Sequence, residues 1–147
     1  ELVGATSGPI LSTKRIGDEV AIEYIDIPDP KSGNFIHSIL ITSQNTVIDF
    51  KNTTGYDAVF APNEVDKRLI FFAKEYTPEV KSLLIYDDSV VAEYDSVFNQ
   101  KCCWDGPPVQ ILGNGKIIDF FARKNGVWYH VQAGYFGIST ETKPNMP

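Results

Sequence analysis

The chain has little of what catalytic and metal-binding sites are usually built from. Its 147 residues include two histidines, two cysteines, two tryptophans and one methionine. The cysteines are neighbours, Cys102 and Cys103, and only His37 and His130 could join them. Structural zinc sites draw four Cys or His ligands at set spacings, so a zinc site is disfavoured. A disulfide between adjacent residues closes a strained ring and cannot staple distant parts of a fold, so two reduced thiols are expected. No GxSxG, P-loop, GxGxxG, HExxH or EF-hand pattern is present, and no cofactor is expected.

Positive charge is also scarce. Thirteen Lys and Arg face nineteen Asp and Glu, a formal net charge of −6. Nucleic acids and anionic membrane surfaces are held by clustered Lys and Arg, which argues against both as partners. No apolar run approaches the roughly 18 residues of a membrane-spanning helix, so membrane insertion is not expected. Helix formers are thin: Ala, Leu and Met together number 16 against 36 Val, Ile and Thr. The β-branched side chains suit a pleated surface better than a helix. Nine Pro and eleven Gly punctuate the chain at short intervals, and nine Phe and seven Tyr supply core-forming rings.

These features predict an all-β fold. One domain is expected over residues 1–147, with residues 141–147 as a loose tail. The pattern reads as a single antiparallel meander of about ten short strands, closed as a sandwich or barrel. Strands are expected near residues 10–15, 19–27, 35–42, 46–51, 56–61 and 68–74, then 82–87, 89–95, 97–103, 109–112, 116–123, 127–132 and 135–140. The near-continuous apolar run at 35–42 marks a central strand covered on both faces. A polar loop is expected at 62–66. Asp87-Asp88 links one hairpin, and Asn114-Gly115 and Asn125-Gly126 carry the positive-φ signature of type I′ turns. The motif of two apolar residues and Asp ends at Asp49, Asp87 and Asp119, spaced 38 and 32 residues apart. Regular spacing of that order would suit blades of a small, incomplete β-propeller, the alternative architecture. The uneven intervals favour chance similarity.

The two histidines are the obvious general bases. His37 sits in FIHSI and reads as a satisfied core or edge residue. His130 sits in VWYHV, on one face with Trp128 and opposite Tyr129 and Val131. A hydrolytic triad would use one of them, yet nothing in the sequence places a nucleophile and carboxylate beside either, nor a stabilised Cys thiolate beside His130. The protein is therefore expected not to be an enzyme. Asp87-Asp88 is the clearest carboxylate cluster. Retaining glycosidases need carboxyls about 5 Å apart facing one sugar, whereas neighbours on a turn diverge, so a solvated hairpin turn is expected. Calcium held by Asp87, Asp88 and Asp95 is the lesser alternative. Asn52-Thr53-Thr54 matches the N-glycosylation sequon. One of Trp128 and Tyr129, pointing to opposite faces, should belong to the core.

Two function classes remain. The first is a non-enzymatic binding protein that inhibits a protein partner, with the acidic charge steering it to a basic enzyme. Bacterial immunity proteins, which neutralise secreted toxin enzymes, share this size, charge and class, though no motif here identifies that family. The expected contact residues are Asp87, Asp88 and Ser89 in the hairpin, and Trp104 and Asp105 in the loop CCWDGPP. The second class is carbohydrate or small-ligand binding, with Trp104, Trp128 and Tyr135 stacking on the ligand. The chain opens on Glu1 and its only methionine is Met146, which leads to the expectation of a periplasmic or secreted protein.

Overall fold

The computed structural model describes residues 8–43, 47–98 and 109–134. Within them the fold is nearly all β, with twelve strands and one short helix. The strands do not form one continuous sheet. They fall into three antiparallel sheets that follow one another along the chain. The first holds β1 (Ile10–Ile16), β2 (Glu19–Asp26), β3 (Ile36–Thr42) and β4 (Val47–Asp49) in that order. The second holds β5 (Ala58–Val65), β6 (Arg68–Glu75), β7 (Lys81–Tyr86) and β8 (Ser89–Tyr94), also in order. In the third, β10 (Val109–Leu112), β11 (Ile117–Lys124) and β12 (Val127–Gly134) pair in sequence. The two-residue β9 (Ser96–Val97) shares one edge of β11 with β10.

The sheets pack face to face like a sandwich with an added layer, the second sheet in the middle; no closed barrel forms among the described residues. Alternation explains the arrangement. Phe60, Phe72 and Leu84 face the third sheet and pack with Ile118, Phe120 and Ala122. Their neighbours Val59, Phe71, Leu83 and Ile85 face the first sheet and pack with Ala21, Ile39 and Ile41. A strand covered on both faces reads as an unbroken apolar run, as in Ile70-Phe71-Phe72-Ala73 and Leu83-Leu84-Ile85. Phe72 is central: its ring stacks on Phe60 at 5.5 Å and meets Phe120 edge-on at 4.9 Å. Strand β3 is also buried on both faces from Ser38 to Ile41, with the helix lying against it.

Two segments differ from the sequence expectation. The strand expected at 46–51 stops at Asp49, which caps the helix α1 (Phe50–Thr54) by accepting from Asn52 N at 3.1 Å. Capping by Asp favours helix over further strand there, and Gly55 ends the turn at φ 78. The sequon Asn52 therefore lies on α1, its Nδ2 donating to Asp49 Oδ2 at 2.8 Å. The polar loop expected at 62–66 is instead the continuation of β5. A bulge between Phe60 and Asn63, with Ala61 at φ 52, accommodates Pro62 in an otherwise paired strand. The repeated Asp motif marks no equivalent positions: Asp49 ends a fourth strand, Asp87 lies in a turn and Asp119 lies inside β11.

Candidate functional site

Strand directions divide the molecule into two ends. One gathers the β1–β2 turn at Gly17-Asp18, the β5–β6 turn at Asp66-Lys67, the β7–β8 turn at Asp87-Asp88 and the β10–β11 loop at 113–116. Asp66, Lys67, Asp87 and Asp88 all have positive φ, as two-residue hairpin turns of the I′ kind require. The Asn114-Gly115 hairpin forms too, but across four residues, with Lys116 N donating to Leu112 O at 3.2 Å. Hydrogen bonds between sheets tie this end together. Gly17 N donates to Glu64 Oε2 at 2.6 Å, linking the first sheet to the second. Asp66 N donates to Gly115 O at 2.9 Å, linking the second to the third.

Asp87 and Asp88 wall a cleft of about 340 Å³ between the first two sheets, with Glu19, Lys67 and Arg68 on its other sides. Its floor is apolar, formed by Ile16, Ile41, Leu69 and Phe71. Arg68 forms an exposed ion pair with Asp87. Such a pair contributes under about 1 kcal/mol to stability but holds the Asp87 carboxylate over its own strand. Glu19 and Asp88 are the carboxylates of this cleft outside that pair, against Lys67. Ser89 begins β8 and is exposed. Asp95 lies at the far end of β8, roughly 20 Å away by strand rise, so a shared calcium site with Asp87 and Asp88 does not assemble. Trp104 and Asp105, with Cys102, Cys103 and Tyr135, lie outside the described residues.

The opposite end carries a second cleft of about 270 Å³, walled by Phe35, Phe60, Tyr76, Phe98 and Trp128. His37 and Lys74 are its basic side chains. Here the sequence expectation for His37 is corrected. Its buried Nδ1 has no hydrogen-bond partner and lies 3.7 Å from Glu23 Oε1. Glu23 is only 4% exposed, a carboxylate in the interface between first and second sheets. It accepts from Ser12 Oγ at 2.9 Å and from Ala61 N at 3.0 Å, so the β5 bulge delivers a backbone donor to it. The sequence signal for this group was an acid on the same strand face as Ala21.

His130 stands on the outer face of the third sheet. Its Nε2 is 2.7 Å from Asp119 Oδ2, which also accepts from Gln132 Nε2 at 2.9 Å, and its ring stacks on Phe121 at 4.9 Å. These contacts orient the imidazole, and no hydroxyl or thiol bonds it among the described residues. Neither Trp128 nor Tyr129 is core: they are 52% and 50% exposed, on the outermost strand of their sheet among the described residues. Burial raises the pKa of the Tyr94 phenol, as it does those of Tyr24 and Tyr56, where nearby carboxylates add to the effect. The Lys81 ammonium is raised by its hydrogen bond to Glu93. Among the described residues no helix is long and apolar enough to cross a membrane, and no group of three or more His, Cys, Asp or Glu is placed to hold a metal ion.

The chain matches no protein family, no curated protein and no solved structure.

Proposed function

We propose that this protein is a non-enzymatic binding protein that engages and inhibits a basic protein partner through its turn end. One observation carries the reading: the Asp87-Asp88 hairpin forms a wall of the 340 Å³ cleft, whose floor is apolar. A Lys or Arg of the partner would lay its aliphatic stem on Leu69 and Ile48, the less buried apolar residues of the cleft, and bring its charge to Asp88 and Glu19. Turns hydrogen-bonded to one another across the sheets are already held in place in part, which would lower the ordering entropy that binding costs. Neutralisation of a toxin enzyme outside the cytoplasm, the task of immunity proteins, is the kind of activity this surface fits.

Affinity capture tests the proposal. Tagged protein is incubated with lysate and secreted fraction from its own source, beside the Asp88→Asn and Glu19→Gln variants. Asn tolerates the positive φ at position 88, so that change removes charge and keeps the turn. The expected result is one basic enzyme, retained stoichiometrically, inhibited on binding and lost with either variant. An empty capture, or retention unaffected by both variants, refutes the proposal.

A further inference from the structure

The second cleft supports an inference separate from the protein partner. Its walls come from all three sheets: His37 from the first, with Phe35 in the connection just before β3, Phe60 and Lys74 from the second, and Trp128 from the third. Such a cleft holds flat apolar matter well, because rings on different strands can sandwich a planar ligand. Its size, about 270 Å³, lies just below the usual range for drug-sized ligands, roughly 300–1,000 Å³. A one- or two-ring molecule is the scale that fits.

The charge inside the cleft narrows the class. Lys74 is half-buried, and its Nζ lies 5.5 Å from the centroid of the Phe60 ring. Among the described residues it forms no ion pair. Asp57, whose N donates to Lys74 O at 3.0 Å, has its Oδ2 accepting from Tyr76 N at 2.8 Å, and Glu23 accepts from Ala61 N and Ser12 Oγ. An ammonium held against an aromatic face and lacking a carboxylate is partly desolvated and stands to gain from an anion brought to it. The polar side-chain atoms of the walls are those of His37, Lys74, Tyr76 and the Trp128 indole, and none is a carboxylate or amide of the kind that accepts from sugar hydroxyls.

We propose that the cleft between Phe35, Lys74 and Trp128 binds a small aromatic carboxylate, its ring between the aromatic walls and its carboxylate on the Lys74 ammonium. The test follows backbone and indole amide signals of isotope-labelled protein during titration with naphthoate, its neutral amide naphthamide, and methyl glucoside. Naphthoate is expected to give saturable shifts at Phe60, Lys74 and Trp128, with naphthamide at least tenfold weaker. Lys74→Met, which keeps the aliphatic stem, should erase that tenfold preference while the remaining spectrum stays native. No saturable shift with naphthoate at these residues, equal binding of the amide, or a preference surviving in Lys74→Met each overturns the proposal. Shifts with methyl glucoside and none with naphthoate also overturn it, in favour of a carbohydrate site.

Discussion

Glu23→Ala gives the sharpest test of how the first two sheets are joined. The Glu23 carboxylate is 4% exposed and receives the Ala61 N–H at 3.0 Å and the Ser12 hydroxyl at 2.9 Å. Hydrogen bonds to a charged acceptor contribute about 1.5–3 kcal/mol, and a buried N–H left without an acceptor costs a similar amount. The two descriptions overlap, because Ala61 N is the donor in both. Ser12 is closer to solvent and can turn its hydroxyl to water. The net loss is therefore about 2–4 kcal/mol. For a domain of this length each kcal/mol lowers Tm by about 2–4 °C, so a fall of roughly 5–15 °C is expected. Urea denaturation supplies the free energy, and amide hydrogen exchange supplies the location. Exchange at Ala61, whose N–H donates to the carboxylate, should quicken more than at Phe72, which is paired with Phe60 and Leu84 inside the second sheet. Glu23→Gln, which keeps one oxygen acceptor, should lose about half as much. A loss below about 1 kcal/mol, or unchanged exchange at Ala61, would refute the idea that this carboxylate anchors the β5 bulge.

Phe72→Ala should cost about 3–5 kcal/mol, because it removes the ring between Phe60 and Phe120 where two sheets meet; a urea-derived loss under about 2 kcal/mol contradicts that packing. Gly134→Ala should cost roughly 1–3 kcal/mol and loosen the end of β12, since Gly134 has φ 147 and a Cβ there would lie 2.0 Å from the Lys116 carbonyl oxygen. Hydrogen exchange along β12 locates the effect, and unchanged stability argues against the pairing of Ile117 with Gly134. Stability should also fall in strong alkali. The phenols of Tyr24, Tyr56 and Tyr94 have folded-state pKa values raised above the ordinary 10.0, mainly by burial. A raised folded pKa contributes stability that is full below the ordinary value and is lost as pH climbs through the folded one. Urea midpoints at about pH 8 and about pH 11 should therefore differ, and Tyr94→Phe should narrow the difference.

The hairpins were readable because their turns demand residues that accept positive φ. Asp87-Asp88 and Asn125-Gly126 fall where strand patterns stop on either side, and both turns form there. The all-β class followed from the same local preferences. The division into three sheets did not, because nothing in a run such as RLIFFAK says which sheet will cover each face. That run reports double coverage, yet so does FIHSILIT, and only the first of the two lies in the middle sheet. Pro62 and Asp49 misled for local reasons. A proline signals a break, and here a bulge at Ala61 absorbs it; an Asp within a β-like run reads as strand, and here it caps a helix. At the candidate sites, the Asp87-Asp88 turn was visible as a charged hairpin. The second cleft was not, since Phe35, Lys74 and Trp128 are brought together only by the packing of sheets.

The same packing gives the two ends different mechanical character. At the turn end, short hairpins are hydrogen-bonded from sheet to sheet, so Asp88 and Glu19 sit on a frame that resists shear. At the other end, longer connections at residues 27–35 and 76–80 reach over the strand ends, and Phe35 and Tyr76 within them are 67% and 51% exposed. Loops of that kind open at lower free energy than core strands. A protein partner is best met by the rigid end, where little has to be ordered. A small planar ligand is best met by the end whose aromatic side chains can still close on it. Hydrogen exchange separates the two cases: a ligand in the second cleft should slow exchange across residues 27–35 and 76–80 and leave Asp66 and Gly17 unchanged. Protection spread equally over both ends would mean that the sheets shift as one body, and the distinction between a rigid and an adaptable end would fall.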